Sequence, residues 1–370
     1  MKCTNGIKKL GLPENFKFGI EIEADNVQTK GESSLYTGEA LEFIKNKKWH
    51  VASAHEERLV KEGGAELVSP ILKDSENTWK NLEEICNLIK KYPGKKGNEV
   101  IANEKCGLHI HFDADCIASD PSKMKQFLKI YAESEELIYK MCNDKNDSIR
   151  KYAINRDFST LIKSVSSIWR VGIAAPSGKK ILEKIENGTL KVSYKKLGKF
   201  RNLTNKLKID ERRYYGLNLT NIGSKNKNTI EFRMANGTLN SETIKQNVFL
   251  YSSIINAAIK SVEQPELYQK KLNNFYKTDV TEEEKVNNFL NLIMNNEEDR
   301  RIYYERWESV KDAKIFQKNS KKNFAQNRFN RDEFRRNAEN VPKKNIEKAL
   351  STIKNIMNKE KTQGEAIDER

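Results

Sequence analysis

The sequence predicts an α+β fold: a mostly antiparallel sheet with one polar, concave face, and helices packed on the other face. Three observations carry this reading. Short segments alternate apolar and polar residues, as in FKFGIEIEAD at 16–25 and CGLHIHFDAD at 106–115. Such alternation suits antiparallel strands covered on one side, whereas strands buried on both sides read as unbroken apolar runs. Between these segments lie stretches with apolar residues at helical spacing, at 75–91, 120–142 and 241–262. Beyond about residue 265 the character changes to charged helices with few apolar positions, which predicts a basic helical extension.

In order along the chain, 16–25 is a strand with Phe18, Ile20 and Ile22 on one face and Glu21, Glu23 and Asp25 on the other. A loop and a short helix near 38–47 follow. GGAELVSPIL at 63–72 is a strand, and Pro70, which has no N–H to donate, places its end near an edge. SENTWKNLEEICNLIKK at 75–91 is a helix with Ser75 as its N-cap. In the strand at 106–115, His109, His111 and Asp113 share a face, opposite Leu108, Ile110 and Phe112. Asp120 and Pro121 open a helix over 120–142, with an acid cap and a proline at the first helical position. The stretch 145–200 shows no clear period. YYGLNLTNI at 214–222 and NTIEFRMANGT at 228–238 alternate again, and a helix rich in small and apolar residues covers 241–262. Helical patterns at 282–298 and 332–360 belong to the charged region. This divides the chain into a domain over 1–265 and a basic helical region over 266–370.

Composition bounds the function. No apolar run approaches the roughly 18 residues of a membrane span, and MKCTNGIKKLGLPENFKFG holds no apolar signal core. Five cysteines without a CxxC spacing suit reduced thiols, so a cytoplasmic protein is expected. Cys106 falls on the strand face opposite the histidines and reads as core packing. The net charge of +15 is uneven: residues 300–361 hold 18 Lys and Arg against 8 Asp and Glu. There Phe316, Phe324, Phe329 and Phe334 are interleaved with basic residues, a pattern compatible with nucleic acid or an acidic protein, or simply with a solvated helical face. Walker, Rossmann and GxSxG signatures are absent.

The chemistry concentrates in three doublets. Glu21 and Glu23 form E-x-E, His109 and His111 form H-x-H, and Glu231 and Arg233 form E-x-R. On a strand each pair projects from one face, roughly 6.5–7 Å apart. Glu66 adds an acid inside an otherwise apolar strand. Each doublet alone has a bland explanation: a solvated face for E-x-E, a cross-strand ion pair for E-x-R. Together, on neighbouring strands, they would gather four carboxylates, two imidazoles and a guanidinium. Carboxylate oxygens suit Mg2+ and Mn2+, and imidazole is better tolerated by Mn2+. Two such ions could clamp phosphate oxygens, with Arg233 holding developing negative charge. This inventory suits chemistry on phosphoryl or acyl-phosphate groups, and a two-metal phosphoesterase or nuclease would use the same ligands.

FGIEIE, ELVSPIL, CGLHIHF, YYGLNLTN and TIEFRMANGT, in this order, resemble the amidoligase family, part of the carboxylate–amine ligase group with glutamine synthetase and glutamate–cysteine ligase. The resemblance covers about 16–262. It implies an ATP-dependent ligase in which a carboxylate is phosphorylated by ATP and an amine then displaces phosphate. It also implies two Mg2+ or Mn2+ ions. Glu21 and Glu23 would divide between them, Glu66 would join one, and His109 and Glu231 the other. His111 would face the ATP phosphates and Arg233 the transferring phosphoryl group; with Glu21, these are the expected catalytic residues. Asn218 and Arg150 are weaker carry-overs, as polar contacts to nucleotide or substrate. Relatives tend to carry an Asp-Gly-Ser turn where this chain has Ala54, His55 and Glu56. The partners implied are an amine and a small-molecule, peptide or protein substrate bearing a carboxylate. A third class, an inactive ligase fold that only binds, is disfavoured by intact acids at 21, 23, 66 and 231.

Overall fold

The computed structural model describes residues 1–27, 38–53, 64–92, 99–102, 106–118, 120–143, 216–219, 221–222 and 227–312. Arg150, the segment Ala54, His55 and Glu56, the stretch 145–200 and the basic segment beyond 312 lie outside the described residues. Met1–Ile315 form one compact unit; Phe316–Arg370, a second unit, fall among the residues not described.

Six strands make one sheet: β1 (Phe18–Ala24), β2 (His50–Ser53), β3 (Ala65–Val68), β4 (Gly107–Asp113), β5 (Leu217–Asn218) and β6 (Thr229–Asn236). Their spatial order is β2-β3-β1-β4-β6-β5, and every neighbouring pair is antiparallel. β3 is interior, with β2 outside it, and the β2 ladder stops at Val68. Pro70 sits just past that last rung, where its missing N–H costs nothing. The Ser69 hydroxyl accepts from the Ile20 N–H at 2.8 Å, and the chain rejoins β1 where Leu72 bridges Phe18.

The helices among the described residues are α1 (Gly38–Asn46), α2 (Glu76–Lys91), α3 (Asp115–Ala118), α4 (Pro121–Met141), α5 (Ser241–Glu263), α6 (Pro265–Phe275), α7 (Glu282–Ile293) and α8 (Glu297–Val310). Their starts follow from capping. Ser75 accepts from the Thr78 N–H, Asp120 from the Ser122 N–H, and Asn240 from the N–H groups of Glu242 and Thr243. Each satisfies a donor that the first helical turn leaves without an intrahelical partner. The pattern at 282–298 resolves into two helices, because Asn296 starts α8 by accepting from the Asp299 N–H.

The apolar side of the strands meets α2, α4 and α5. Phe232 of β6 is the centre: its ring stacks on Tyr251 of α5 at 4.3 Å and meets Phe127 and Tyr131 of α4 edge-on at 6.1 and 6.2 Å. Phe18 of β1 stacks on Trp79 of α2 at 5.6 Å. Helices α6–α8 join the same core through Phe275, Phe289, Tyr303 and Trp307. The amino-terminal segment is tied to α8, the Cys3 N–H donating to Asp299 at 3.0 Å. All five cysteines are buried, and none forms a disulfide. No helix among the described residues is long and apolar enough to cross a membrane.

Two irregularities shape the end of β6. Between the rungs Leu108–Ala235 and Ile110–Phe232, β4 supplies His109 alone while β6 supplies Arg233 and Met234. Such a bulge re-aims the side chains beside it. Just beyond β6, Gly237 donates its N–H to the Cys106 carbonyl at 2.8 Å. A methyl group at Gly237 would stand 2.5 Å from Cys106 Cβ and 3.0 Å from the Glu23 carbonyl oxygen. Gly237→Ala is therefore expected to destabilise the protein by about 1–3 kcal/mol, the usual cost of overpacking. A lower urea midpoint with unchanged slope is the result to look for.

Candidate metal centre

Residues directly opposite each other in an antiparallel ladder share a face. The register sets Glu66 against Glu23, Glu21 against His109, His111 against Glu231, and Glu231 against Asn218. Five strands thus deliver these residues, with Arg233, to the face that α2, α4 and α5 leave open. Glu23, Glu66, His109, His111, Asn218 and Glu231 are buried, and Glu21 and Arg233 are part-buried.

Buried carboxylates are costly unless they are paired and hydrogen-bonded. Glu21 is the hub. Its Oε2 lies 3.3 Å from His109 Nδ1, and its Oε1 lies 3.0 Å from His111 Nε2 and accepts from Lys227 Nζ at 2.8 Å. The His111 Nε2 contact is close but lacks the alignment of a hydrogen bond. Its other nitrogen, Nδ1, is 3.3 Å from the Thr229 hydroxyl. Glu231 is held on both oxygens: Arg233 Nη1 donates to Oε1 at 2.5 Å, and Asn218 Nδ2 donates to Oε2 at 2.6 Å. Glu23 accepts the Gly107 N–H at 2.6 Å on one oxygen, and its other lies 3.6 Å from His109 Nε2. Arg233 Nη1 also comes within 3.4 Å of His109 Nδ1.

Two groups of side chains each bring one ligand atom per residue within 4.8 Å of one another: Glu21, Glu66 and His109, and Glu21, His111 and Glu231. Glu21 belongs to both and could serve a cation in either. The resemblance implied a different division, with His109 beside Glu231 and His111 toward phosphate. The geometry brings both imidazoles to Glu231 Oε1, His109 Nδ1 at 3.7 Å and His111 Nε2 at 3.8 Å, groups His109 also with Glu66, and ties one oxygen of Glu23 to the backbone.

The electrostatics fit a cation. Burial alone would raise Glu21, but the close approach of the His109 and His111 ring nitrogens holds its carboxyl well below the ordinary range. Burial likewise opposes the lowering of Glu231, which His111 and Arg233 bring about. Burial first, then Arg233, pushes His109 down, toward the neutral imidazole that a metal needs. Glu66 moves the other way, up to about 8, through burial and then the charges and hydrogen bond of Glu21 and the charge of Glu23. The crowded acids thus favour a proton on Glu66, and a divalent cation would relieve this. Oxygen donors with a single imidazole per group match Mg2+ or Mn2+.

This shift has a sign that can be measured. Glu66 has a folded-state value above its unfolded 4.5. The stability it allows is full below 4.5 and declines as pH rises toward about 8. Metal binding at about pH 7 must expel that proton. Saturating Mn2+ in a weakly buffered solution is expected to release roughly one proton more from the wild type than from Glu66→Gln. Equal release would place the metal away from Glu66.

Two contacts escape sequence reasoning. Thr229 continues the alternation of Glu231 and Arg233, and that period was its available signal. Lys227 had none, being one of 67 Lys and Arg.

A strand face that buries four carboxylates, two imidazoles and a guanidinium is built to meet cations and the oxyanions they carry. The family model described as "Putative amidoligase enzyme" matches residues 18–255, and the chain belongs to that family. No curated protein matches the chain.

Proposed function

We propose that the protein is an ATP-dependent carboxylate–amine ligase that forms an amide or peptide-like bond through an acyl phosphate. The observation that supports this most is the pair of Glu/His groups sharing Glu21, set beside Arg233, in a chain of the amidoligase family. Glu21, Glu66 and His109 would hold one Mg2+ or Mn2+, and Glu21, His111 and Glu231 a second. Such ions supply charge neutralisation and alignment of the phosphate oxygens. In the first step a carboxylate oxygen of the substrate attacks the γ-phosphorus and ADP leaves. In the second the amine nitrogen attacks the acyl carbon, phosphate leaves, and the amine gives up a proton. Arg233, anchored through Nη1 to Glu231, keeps further N–H donors for the transferring group. Asn218 fixes the Glu231 carboxylate from its other oxygen. The acid belongs to a small molecule, a peptide or a protein.

The test is product analysis by mass spectrometry after incubation with ATP, Mg2+ and pools of carboxylic acids, amines and peptides. ADP and phosphate are expected only when acid and amine are both present, with a product lighter than their sum by one water. Hydrolysis of phosphate esters without any amine would favour a two-metal phosphoesterase on the same ligands.

A further inference from the structure

We propose that Lys227 is a displaceable counter-ion of this centre. It neutralises Glu21 while no metal is bound, and when metal arrives it moves from Glu21 to the nucleotide phosphates. The proposal rests on the reading above, that Glu21 binds metal, and it assigns a role to a residue outside both groups.

Three observations carry it. Lys227 Nζ donates at 2.8 Å to Glu21 Oε1, on the carboxylate that belongs to both candidate metal groups. It therefore stands where any cation bound by Glu21 would bring its charge. A Mg2+ or Mn2+ lies about 2.1 Å from its carboxylate oxygen, so an ammonium kept on Oε1 would face a doubly charged neighbour within roughly 5 Å. Both cannot remain there cheaply.

The second observation is exposure. The Lys227 side chain is 47% exposed while that of its partner Glu21 is 12%. Arg233, another cation of the face among the described residues, is also 12% exposed and fixed by Glu231 and by the bulge. Of these two cations, Lys227 is the one with room to leave. A four-carbon stem with three rotatable donors suits such a movement better than a guanidinium fork does.

The third is position. Lys227 precedes the first residue of β6, Thr229, by two places and Glu231 by four, so it is held at the rim of the face that carries the ligands. An ammonium released at that rim finds the next concentration of negative charge in the phosphates that the metals recruit, and lysine binds phosphate as a point charge.

Full-length wild type and Lys227→Met are titrated with Mn2+ by calorimetry without nucleotide, then with a non-hydrolysable ATP analogue at saturating Mn2+. The two effects have opposite signs. Lys227→Met should bind Mn2+ about fivefold or more tighter, and the analogue weaker by a similar factor, the lower end of ordinary coupling between two ligands. The Mn2+ difference should shrink as salt rises, since the exposed ion pair is screened. Equal Mn2+ affinity in the two proteins, or tighter Mn2+ with unchanged analogue affinity, overturns the proposal and leaves the metal reading intact. Failure of both proteins to bind Mn2+ overturns the metal reading and this one with it.

Discussion

Alanine at Glu21 is expected to abolish the rise in melting temperature that Mn2+ gives the wild-type protein. A cation at a hundredfold excess over its Kd stabilises by about 2.7 kcal/mol, a shift of several degrees for a protein of this size. Glu21 belongs to both candidate groups, so its loss would remove a ligand from both, whereas loss of Glu66 or Glu231 would touch one. ADP release should fall by more than about 10³, beyond the 10²–10³ usual for losing one preorganised electrostatic contact. The metal-free variant also loses the acceptor for Lys227 and the partner of both imidazoles, so the difference between melts with and without Mn2+ is the quantity that decides. Glu21→Gln keeps the shape and a carbonyl oxygen, and controls for packing. If Glu21→Ala and the wild type gain equally from Mn2+, the cation is held elsewhere and Glu21 is only an ion-pair partner for the histidines.

The parts of this site that follow from local periodicity are legible in the sequence itself. Alternation alone puts Glu21 with Glu23, His109 with His111, and Glu231 with Arg233. The capping residues Ser75 and Asp120 mark their helices because the signal is confined to one turn. What joins the doublets is register between strands far apart in sequence, and no local pattern states it. That Glu21 opposes His109 and His111 opposes Glu231 is fixed by the pairing of β1, β4 and β6. A single extra residue in β6 then decides which imidazole Arg233 approaches. The family resemblance pointed to His109 beside Glu231, and the pairing of the strands brings His111 there as well. Lys227 shows the opposite difficulty. Its role depends on one contact, and in a chain so rich in lysine its type carries no information.

Arg233 separates catalysis from structure, since it serves both. It donates at 2.5 Å to Glu231, and both side chains are largely withdrawn from water, at 12% and 3% exposure. Arg233→Ala strands that carboxylate, and breaking a buried pair on one side costs about 3–5 kcal/mol. The metal-free variant should melt correspondingly lower. Mn2+ should then stabilise Arg233→Ala more than it stabilises the wild type, because a cation on Glu231 takes over the missing charge. Turnover should behave differently. If Arg233 meets the transferring phosphoryl group, ADP release falls by about 10²–10³ even at saturating Mn2+, since metal restores charge at Glu231 but not the donors aimed at the phosphate. Arg233→Lys keeps the positive charge and should recover most of the stability. It lacks the planar fork that can hold Glu231 and a phosphate oxygen together, so its turnover should recover only in part. Full activity in Arg233→Lys, or activity of Arg233→Ala restored by Mn2+ alone, would reduce Arg233 to the ion-pair partner of Glu231. Stability rescued by lysine while turnover is not would place its guanidinium on the reacting phosphate.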